Sequence, residues 1–537
     1  MQKLVATSLA ALLVSSQLAT PVVASAQKGV SFNTATPIKH LVVIFDENIS
    51  FDHYFGTYPY AVNPAHEPKF VPAPNTPTVN GYTDALLFSN PNFLNTTGNA
   101  DGASNPFRLD RSQAATADQD HDYTPEQQSF HAGLMDSFPQ YTGTAGPPPS
   151  GPVGGTTGLV MGYYDGNTVT AQWNYAQRYA MSDNSYNTNF GPSTPGAINL
   201  ISGQTNGITD QSNAGGDVIG DGNGGFTLIS DADPVGDVCS TTTGALVQFG
   251  GQNIGDLLNV KGISWGFFEG GFDLTRTNPN KTTGCNRSHT SVITNSNKKD
   301  YIPHHQPFMY YKSTANPQHL RPTSVIGQTD QANHQYDTYD FFNALSAGNL
   351  PAVSFVKAPG YQDGHAGYSD PLDEQTWIVE VINALQQSPE WSSTAVVIAY
   401  DDSDGWYDHQ MSPIVNQSAT SADALNAPGQ CGSAANTALF GTFGGRAQGR
   451  CGYGPRLPLQ VVSPWAKRNY VDHTTTDQAS ILRFIEDNWL GGQRIDGSFD
   501  AIAGTLNSMF DFSKGQPQNG GVYLLDTSTG LVTKGGN

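Results

Sequence analysis

The sequence has little charge, few basic residues and no long apolar segment after its N-terminal region. Only 13% of its residues are charged, and 25 lysines and arginines stand against 46 aspartates and glutamates, a net charge of −21. A chain this acidic repels nucleic acid and anionic membranes, so neither is expected as a general partner. No later stretch reaches the roughly 20 consecutive apolar residues that span a bilayer, so no transmembrane anchor is expected.

The first 26 residues have the pattern of a signal peptide. Lys3 gives a short positive start, Leu4 to Val14 form a small apolar run, and Ala24-Ser25-Ala26 has the small-x-small pattern that signal peptidase cuts. We therefore expect the mature chain to begin near Gln27 and to reside in the periplasm or outside the cell.

Cysteine is scarce, with four residues in 537: Cys239, Cys285, Cys431 and Cys451. An even count in an exported chain favours disulfides, and the absence of a CxxC spacing argues against a zinc site. Four cysteines allow three pairings. Proximity along the chain favours Cys239–Cys285 with Cys431–Cys451, and the other two pairings stay open.

Short, fully apolar runs that stop abruptly in polar residues predict strands buried on both faces of a sheet. These runs are residues 39–45, 262–268, 352–356, 395–400 and 457–463. Helical spacing of apolar residues follows at 373–387 and 476–489, the second with Thr474 to Thr476 as N-cap candidates. The alternation predicts an α/β fold with a central, mostly parallel β-sheet flanked by helices.

Long stretches rich in Gly, Asn, Ser, Thr and Pro lie between these elements. We predict that they are loop insertions that form a lid over the core, at about residues 60–120, 205–300 and 410–455. The polar residues after Gly492 are predicted to form a surface tail.

Two of the predicted strands end in acidic motifs. Asp46-Glu47-Asn48 follows the first strand, and Asp401 to Asp404 follows the strand at 395–400. Ligands gather at the carboxyl ends of strands in α/β folds, and carboxylate and amide oxygens suit Mg²⁺, Ca²⁺ or Mn²⁺. The alternative is that such residues only form turns. That interpretation is less easily applied to two acidic motifs that follow two strands of one predicted sheet.

Ser193 lies in a Gly-Pro-Ser-Thr-Pro-Gly turn, where a helix is expected to begin. A serine there can aim its hydroxyl at an anion held by the free N–H groups of the first turn, or it can be a simple N-cap. Several histidines stand in suggestive contexts: His121, the pair His304-His305 between prolines, and His365. Imidazolium groups bind phosphoryl oxygens and protonate leaving alkoxides, although ordinary surface positions would also suit these residues.

Together these motifs resemble the bacterial phosphoesterase family, which joins phosphatidylcholine-type phospholipases C and secreted acid phosphatases within the alkaline-phosphatase superfamily. Asp46 to Gly56 match the opening signature ENxSFDxYFG, and Tyr400 to Trp406 match a later motif. Between and after them stand, in order, Asp183-Asn184, Gly191-Pro192-Ser193, Pro303-His304-His305, His365 and Leu482 to Glu486. The resemblance implies an alkaline-phosphatase-like fold and a single phosphoesterase catalytic domain over residues 27–537.

The resemblance also implies a role for each matched residue. In the family's acid phosphatases a Glu-Asn pair and an Asp-Asp pair hold one divalent hard metal ion. Here these positions are Glu47, Asn48, Asp401 and Asp402, and the ion is Ca²⁺, Mg²⁺ or Mn²⁺. The nucleophilic hydroxyl, which also touches the metal, falls on Ser193. The histidines around the phosphate are His121, His304, His305 and His365, of which His365 is expected to protonate the leaving alcohol.

Departures from the family pattern favour its acid phosphatase branch. Many of its phospholipases C have threonine where Ser193 stands, and they usually have extra C-terminal β-rich domains, for which this chain has no room. We therefore expect a secreted metal-dependent acid phosphatase that hydrolyses small phosphate monoesters through a phosphoserine. Its optimum is expected at roughly pH 5 to 6, where histidines become cationic. The alternatives are a phospholipase C that cleaves choline-headgroup phospholipids and a non-catalytic metal-binding surface protein.

Overall fold

An eight-stranded sheet forms the centre of the computed structural model, which describes residues 33–146, 155–222, 224–432 and 449–535. Its strands are β1 (His40–Asp46), β2 (Ala180–Ser182), β3 (Trp265–Glu269), β4 (Gln335–Asp337), β5 (Val353–Lys357), β6 (Thr394–Tyr400), β7 (Leu459–Val462) and β8 (Tyr470–Asp472). They lie in the order β4-β3-β5-β1-β6-β7-β2-β8. Strand β7 runs antiparallel to both neighbours, whereas the other pairs are parallel. The predicted α/β fold with a mostly parallel sheet is confirmed.

The register of β1 brings the ends of two strands to the same level. Leu41 to Ile44 have no solvent exposure, as expected of a strand covered on both faces. Asp46 lies opposite Tyr400 at the end of β6, and the next amide, Asp401 N–H, donates to the Asp46 carbonyl (3.2 Å). The residues that follow β1 and β6 therefore leave the sheet side by side.

Helices accompany this sheet. They are α1 (Phe51–Phe55), α2 (Tyr123–Phe130), α3 (Thr170–Arg178), α4 (Ser193–Ser202), α5 (Ile254–Lys261), α6 (Thr338–Ser346), α7 (Pro371–Gln386) and α8 (Ala479–Trp489). Two of these helices, α3 and α6, pack directly on the strands of the sheet. Helix α7 begins where Asp370 accepts hydrogen bonds from the Leu372 and Asp373 amides, with Pro371 in the first turn. The predicted caps of the last helix are wrong. Helix α8 begins at Ala479, and Thr476 lies instead in a two-residue strand paired with Ser185.

Smaller elements lie between and after the strands of the central sheet. Short helices occur at Asp84–Phe88, Pro91–Leu94, Thr96–Asn99 and Phe138–Tyr141. One small sheet has three strands, Ile208–Ser212, Leu246–Phe249 and Asp233–Pro234. Further two-stranded sheets pair Val218–Gly220 with Phe226–Leu228, Ser288–Thr290 with Asn297–Lys299, Phe107–Arg108 with Gly162–Tyr163, and Leu524–Leu525 with Val532–Lys534. The stretch 205–300 also contains α5 and β3. The signal peptide predicted over residues 1–26 lies outside the described residues.

The segment after Gly492 is not the surface tail that its polarity suggested. Leu506 and Met509 are fully buried, and Phe499 belongs to a small core cluster with Ala479. Among the described residues we find no helix with the length and hydropathy needed to cross a membrane.

Both disulfides follow the favoured pairing, Cys239–Cys285 and Cys431–Cys451. The first closes a loop across a sequence separation of 46 residues.

We expect the double replacement of Cys239 and Cys285 by serine to lower the free energy of unfolding by about 2–4 kcal/mol, because the unfolded chain gains conformational freedom. Denaturant unfolding of the variant and the oxidised protein tests this, and equal midpoints would contradict it.

Candidate active site

Asn48, directly after β1, is held in an unusual backbone conformation by the acidic motif after β6. Its φ is 64°, in the left-handed region that asparagine tolerates better than most residues. Its backbone N–H donates to Asp401 Oδ1 (2.9 Å), and its side-chain Nδ2 donates to Asp404 Oδ1 (2.9 Å). These bonds fix the amide orientation and leave Asn48 Oδ1 buried, with no hydrogen-bond partner among the described residues.

Ser193 is the first residue of α4 and points at the same two strand ends. Its hydroxyl lies 3.1 Å from Glu47 Oε2 and 3.1 Å from Asp402 Oδ2. One hydroxyl proton serves one of these acceptors at a time, so a base is in place to receive it. Gly196 permits the approach, because a Cβ there would lie 2.1 Å from the Asp401 carbonyl oxygen.

A buried lysine compensates part of this negative charge. Lys357, the last residue of β5, donates to Glu47 Oε1, and both side chains are almost fully buried. Burial and then the neighbouring Asp401 raise the pKa of Glu47 well above its usual range. Burial and then Asp401 likewise raise the pKa of Asp402. One ammonium does not satisfy three adjacent carboxylates, so the site favours an additional cation.

The donor set fits a hard divalent metal ion. Asp401 Oδ2 and Asn48 Oδ1 are buried and have no hydrogen-bond partner in the described part of the chain, and Glu47, Asp402 and the Ser193 hydroxyl lie next to them. Unsatisfied buried oxygens are costly unless something binds them, and carboxylate, amide and hydroxyl oxygens are the ligands that Mg²⁺, Ca²⁺ and Mn²⁺ prefer. All five residues predicted as metal ligands are brought together.

The four predicted histidines lie on two sides of this cluster. His305 Nδ1 is 3.3 Å from Glu47 Oε1, and the His304 ring packs edge-on against it. On the other side, His121 Nε2 is 3.5 Å from Asn48 Nδ2, and the ring centres of His121 and His365 are 6.0 Å apart. His121 and His365 also form, with Asp118, a group whose ligand atoms lie within 4.8 Å of one another.

Their surroundings give these histidines different charge states. Burial lowers the pKa of His365 to about 4, and burial and Lys357 lower that of His305. Burial acts in the same direction on His121, but Asp402 and Asp404 outweigh it and raise its pKa well above 6.5. At His304 burial also lowers the pKa, but Asp231 and Asp233 together outweigh it and raise the pKa. The site therefore contains both neutral and cationic imidazoles.

The family model described as the Phosphoesterase family matches residues 38–490. The chain belongs to this family. The chain is 25% identical to the non-hemolytic phospholipase C of Pseudomonas aeruginosa, over 89% of this chain and 57% of the relative. It is 26% identical to the non-hemolytic phospholipase C of Burkholderia pseudomallei, over 92% of this chain and 62% of the relative. It is 23% identical to phospholipase C B of Mycobacterium tuberculosis, over 89% of this chain and 78% of the relative.

The chain thus spans about 60% of the length of the two non-hemolytic phospholipases C. The names of these relatives favour the phospholipase C alternative over the acid phosphatase branch that the sequence suggested. A crystal structure of an alkaline phosphatase superfamily protein from Vibrio parahaemolyticus is also similar, with a TM-score of 0.26, 11% identity and 60% coverage of both chains.

Sequence reasoning did not select several residues of the phosphoesterase site. Lys357 is hidden in an apolar run, and only its place at the end of β5 could have indicated it. Glu126 accepts from the Gly191 amide (2.9 Å) and the Ser403 hydroxyl (2.8 Å), which joins the Ser193 turn to the loop after β6. Asp363, whose pKa burial raises to about 7, lies 3.9 Å from the ring of His305. No local sequence pattern distinguishes these two carboxylates from ordinary acidic residues.

Proposed function

We propose that this protein is a metal-dependent hydrolase of phosphoric esters in which Ser193 is the nucleophile. The observation that supports this most directly is the position of the Ser193 hydroxyl, 3.1 Å from both Glu47 and Asp402 at a helix N-terminus. A hydroxyl with an adjacent base, at a helix N-terminus whose partial positive charge attracts an anion, is suited to attack phosphorus.

Glu47, Asn48, Asp401, Asp402 and the Ser193 oxygen would hold the metal ion. When bound, the ion neutralises phosphate charge and lowers the pKa of the serine hydroxyl. Asp402 or Glu47 receives the hydroxyl proton as Ser193 Oγ forms its bond to phosphorus and the bond to the leaving oxygen breaks. Water then cleaves the bond between Ser193 Oγ and phosphorus and restores the hydroxyl, which releases phosphate from a monoester substrate or the phosphorylated headgroup from a diester.

We assign phosphoryl binding and proton transfer to different histidines. His304 and His305 would donate to the non-bridging oxygens as charge increases there. We assign protonation of the leaving alkoxide to His121 rather than His365. Asp404 Oδ1 lies 3.5 Å from His121 Nδ1 and favours the protonated ring, whereas burial lowers the pKa of His365 to about 4. His365, whose Nδ1 lies 2.6 Å from the Ala366 carbonyl, then presents Nε2 to the substrate or its water.

This assignment predicts the alkaline side of the pH profile. An acid must be protonated to act, so kcat/KM is expected to be high in mild acid and to fall as pH rises through the pKa of His121. Replacing His121 with glutamine should lower the rate by about 10²- to 10⁴-fold and remove that fall. Initial rates from pH 4 to 9 test both points. An identical pH dependence in the variant would assign the acid elsewhere.

Two substrate classes follow from different observations. The phospholipase C relatives favour a phospholipid phosphodiester, which includes the choline-headgroup lipids expected from the family resemblance. The serine at position 193, where many of the family's phospholipases C have threonine, favours small phosphate monoesters. Hydrolysis of p-nitrophenyl phosphate against p-nitrophenylphosphorylcholine and phosphatidylcholine vesicles separates them. Turnover of none of these by the metal-loaded protein would contradict the proposed function.

We also propose export to the periplasm or the medium, which follows from the pattern of residues 1–26.

A further inference from the structure

Lys298 places an ammonium group beside the candidate active site, and the roles proposed above do not use it. It lies in the hairpin of strands Ser288–Thr290 and Asn297–Lys299, and its Nζ is 3.5 Å from the centre of the Tyr368 ring. Tyr368 donates a hydrogen bond to Asp363 Oδ2 (3.0 Å) and stacks on His365, with ring centres 4.3 Å apart. One aromatic ring therefore links Lys298 to the site.

Close packing fixes the stem of this lysine. A Cβ at residue 360 would lie 3.0 Å from Lys298 Cγ and 2.6 Å from the Lys299 carbonyl oxygen, so the hairpin approaches this loop only because Gly360 has no side chain. The Lys298 side chain is half-buried, whereas the neighbouring Lys299 is exposed. The ammonium is thus held over Tyr368 rather than extended into solvent.

Among the residues that the structure describes, none provides a direct anionic partner for this ammonium. Within the described ranges, no carboxylate oxygen lies within 4.0 Å of Nζ. Groups of the site surround it at longer range: its charge acts on His304, His305 and His365, and the charges that act on it are Asp363, Glu47, Asp118 and Asp231. Binding of an anion next to a half-buried cation that has no close partner is favourable, because the anion compensates the charge of the cation.

We propose that Lys298 is a substrate-binding residue that donates to a non-bridging phosphoryl oxygen and gives the site a preference for the dianionic phosphate of monoesters over choline-headgroup diesters. This inference rests on the proposed hydrolase function. A monoester carries a second negative charge that a diester lacks, and a charged donor gains more from it. The ammonium also occupies the face of Tyr368, where a choline cation would otherwise bind, and repels that cation.

Substitution of Lys298 with glutamine tests the preference in the full, metal-loaded chain. We expect kcat/KM for p-nitrophenyl phosphate to fall by about 10- to 100-fold. The value for p-nitrophenylphosphorylcholine should stay constant or rise, so the ratio between the two substrates shifts. Lys298→Arg should keep the wild-type ratio, and Lys299→Gln, the matched control on the same strand, should change neither value. An unchanged ratio in Lys298→Gln would overturn the inference.

A binding measurement separates this inference from the proposed function. Calorimetric titration of the metal-loaded protein with inorganic phosphate should give a dissociation constant about tenfold higher in Lys298→Gln than in the wild type. Equal constants would overturn the role of Lys298 even if both esters are hydrolysed. Weaker phosphate binding in a protein that hydrolyses neither ester would preserve the role of Lys298 and reject the hydrolase. Equal melting temperatures confirm that the variants are folded.

Discussion

Replacing Ser193 with alanine is expected to reduce kcat for p-nitrophenyl phosphate by at least about 10⁴-fold, because the variant has no oxygen to form the phosphoserine. Removal of the hydroxyl also takes away one proposed metal ligand but no backbone contact of α4. The melting temperature of the apo protein should therefore stay within a few degrees of the wild type.

The matched control is Ser212→Ala, an exposed serine on the strand Ile208–Ser212. We expect it to keep full activity. Residual activity of Ser193→Ala within tenfold of the wild type would mean that water attacks the substrate directly and that Ser193 only orients a ligand.

Asp401→Asn is expected to have the second largest effect, because it removes a buried charge from the proposed metal site. Asp401 accepts hydrogen bonds from the Asn48 and Asp402 amides through Oδ1 and leaves Oδ2 free for a cation. The asparagine variant should lose about 10³-fold or more in kcat/KM at a metal concentration that saturates the wild type.

Thermal unfolding with and without Mn²⁺, Mg²⁺ or Ca²⁺ provides a readout that does not depend on turnover. A ligand that binds only the folded state raises the melting temperature, so the wild type should gain stability with at least one of these ions and Asp401→Asn should gain far less. The control is Asp210→Asn, an exposed carboxylate remote in sequence from the strand ends. Equal stabilisation of Asp401→Asn and the wild type would remove Asp401 from the metal site.

The central strands were predictable because they are long, apolar and β-branched, and the acidic motifs were predictable because they follow two such strands. Strands β2, β4 and β8 have three residues each, too few for any periodicity, and they form by pairing with neighbours distant in sequence. The start of α8 was misplaced for a related reason, since Thr476 pairs with Ser185 and so cannot cap the helix.

The candidate site shows the same division. Glu47, Asn48, Asp401 and Asp402 could be identified because register places the ends of parallel strands together. Lys357 and Glu126 could not, since each is defined by a contact across more than 60 residues of chain: Lys357 with Glu47, and Glu126 with Gly191. No local sequence pattern marks Lys298, and only the approach of its strand to Gly360 brings it to the site.

The most direct test of the account is to trap the covalent intermediate. The metal-loaded protein would be mixed with excess p-nitrophenyl phosphate, quenched in acid within the first turnovers, digested and examined by mass spectrometry. We predict one phosphoryl group on the peptide that contains Ser193, and none in Ser193→Ala treated in the same way. Rapid turnover by the wild type with no phosphorylated peptide, or phosphorylation at another residue, would contradict the assignment of Ser193 as the nucleophile.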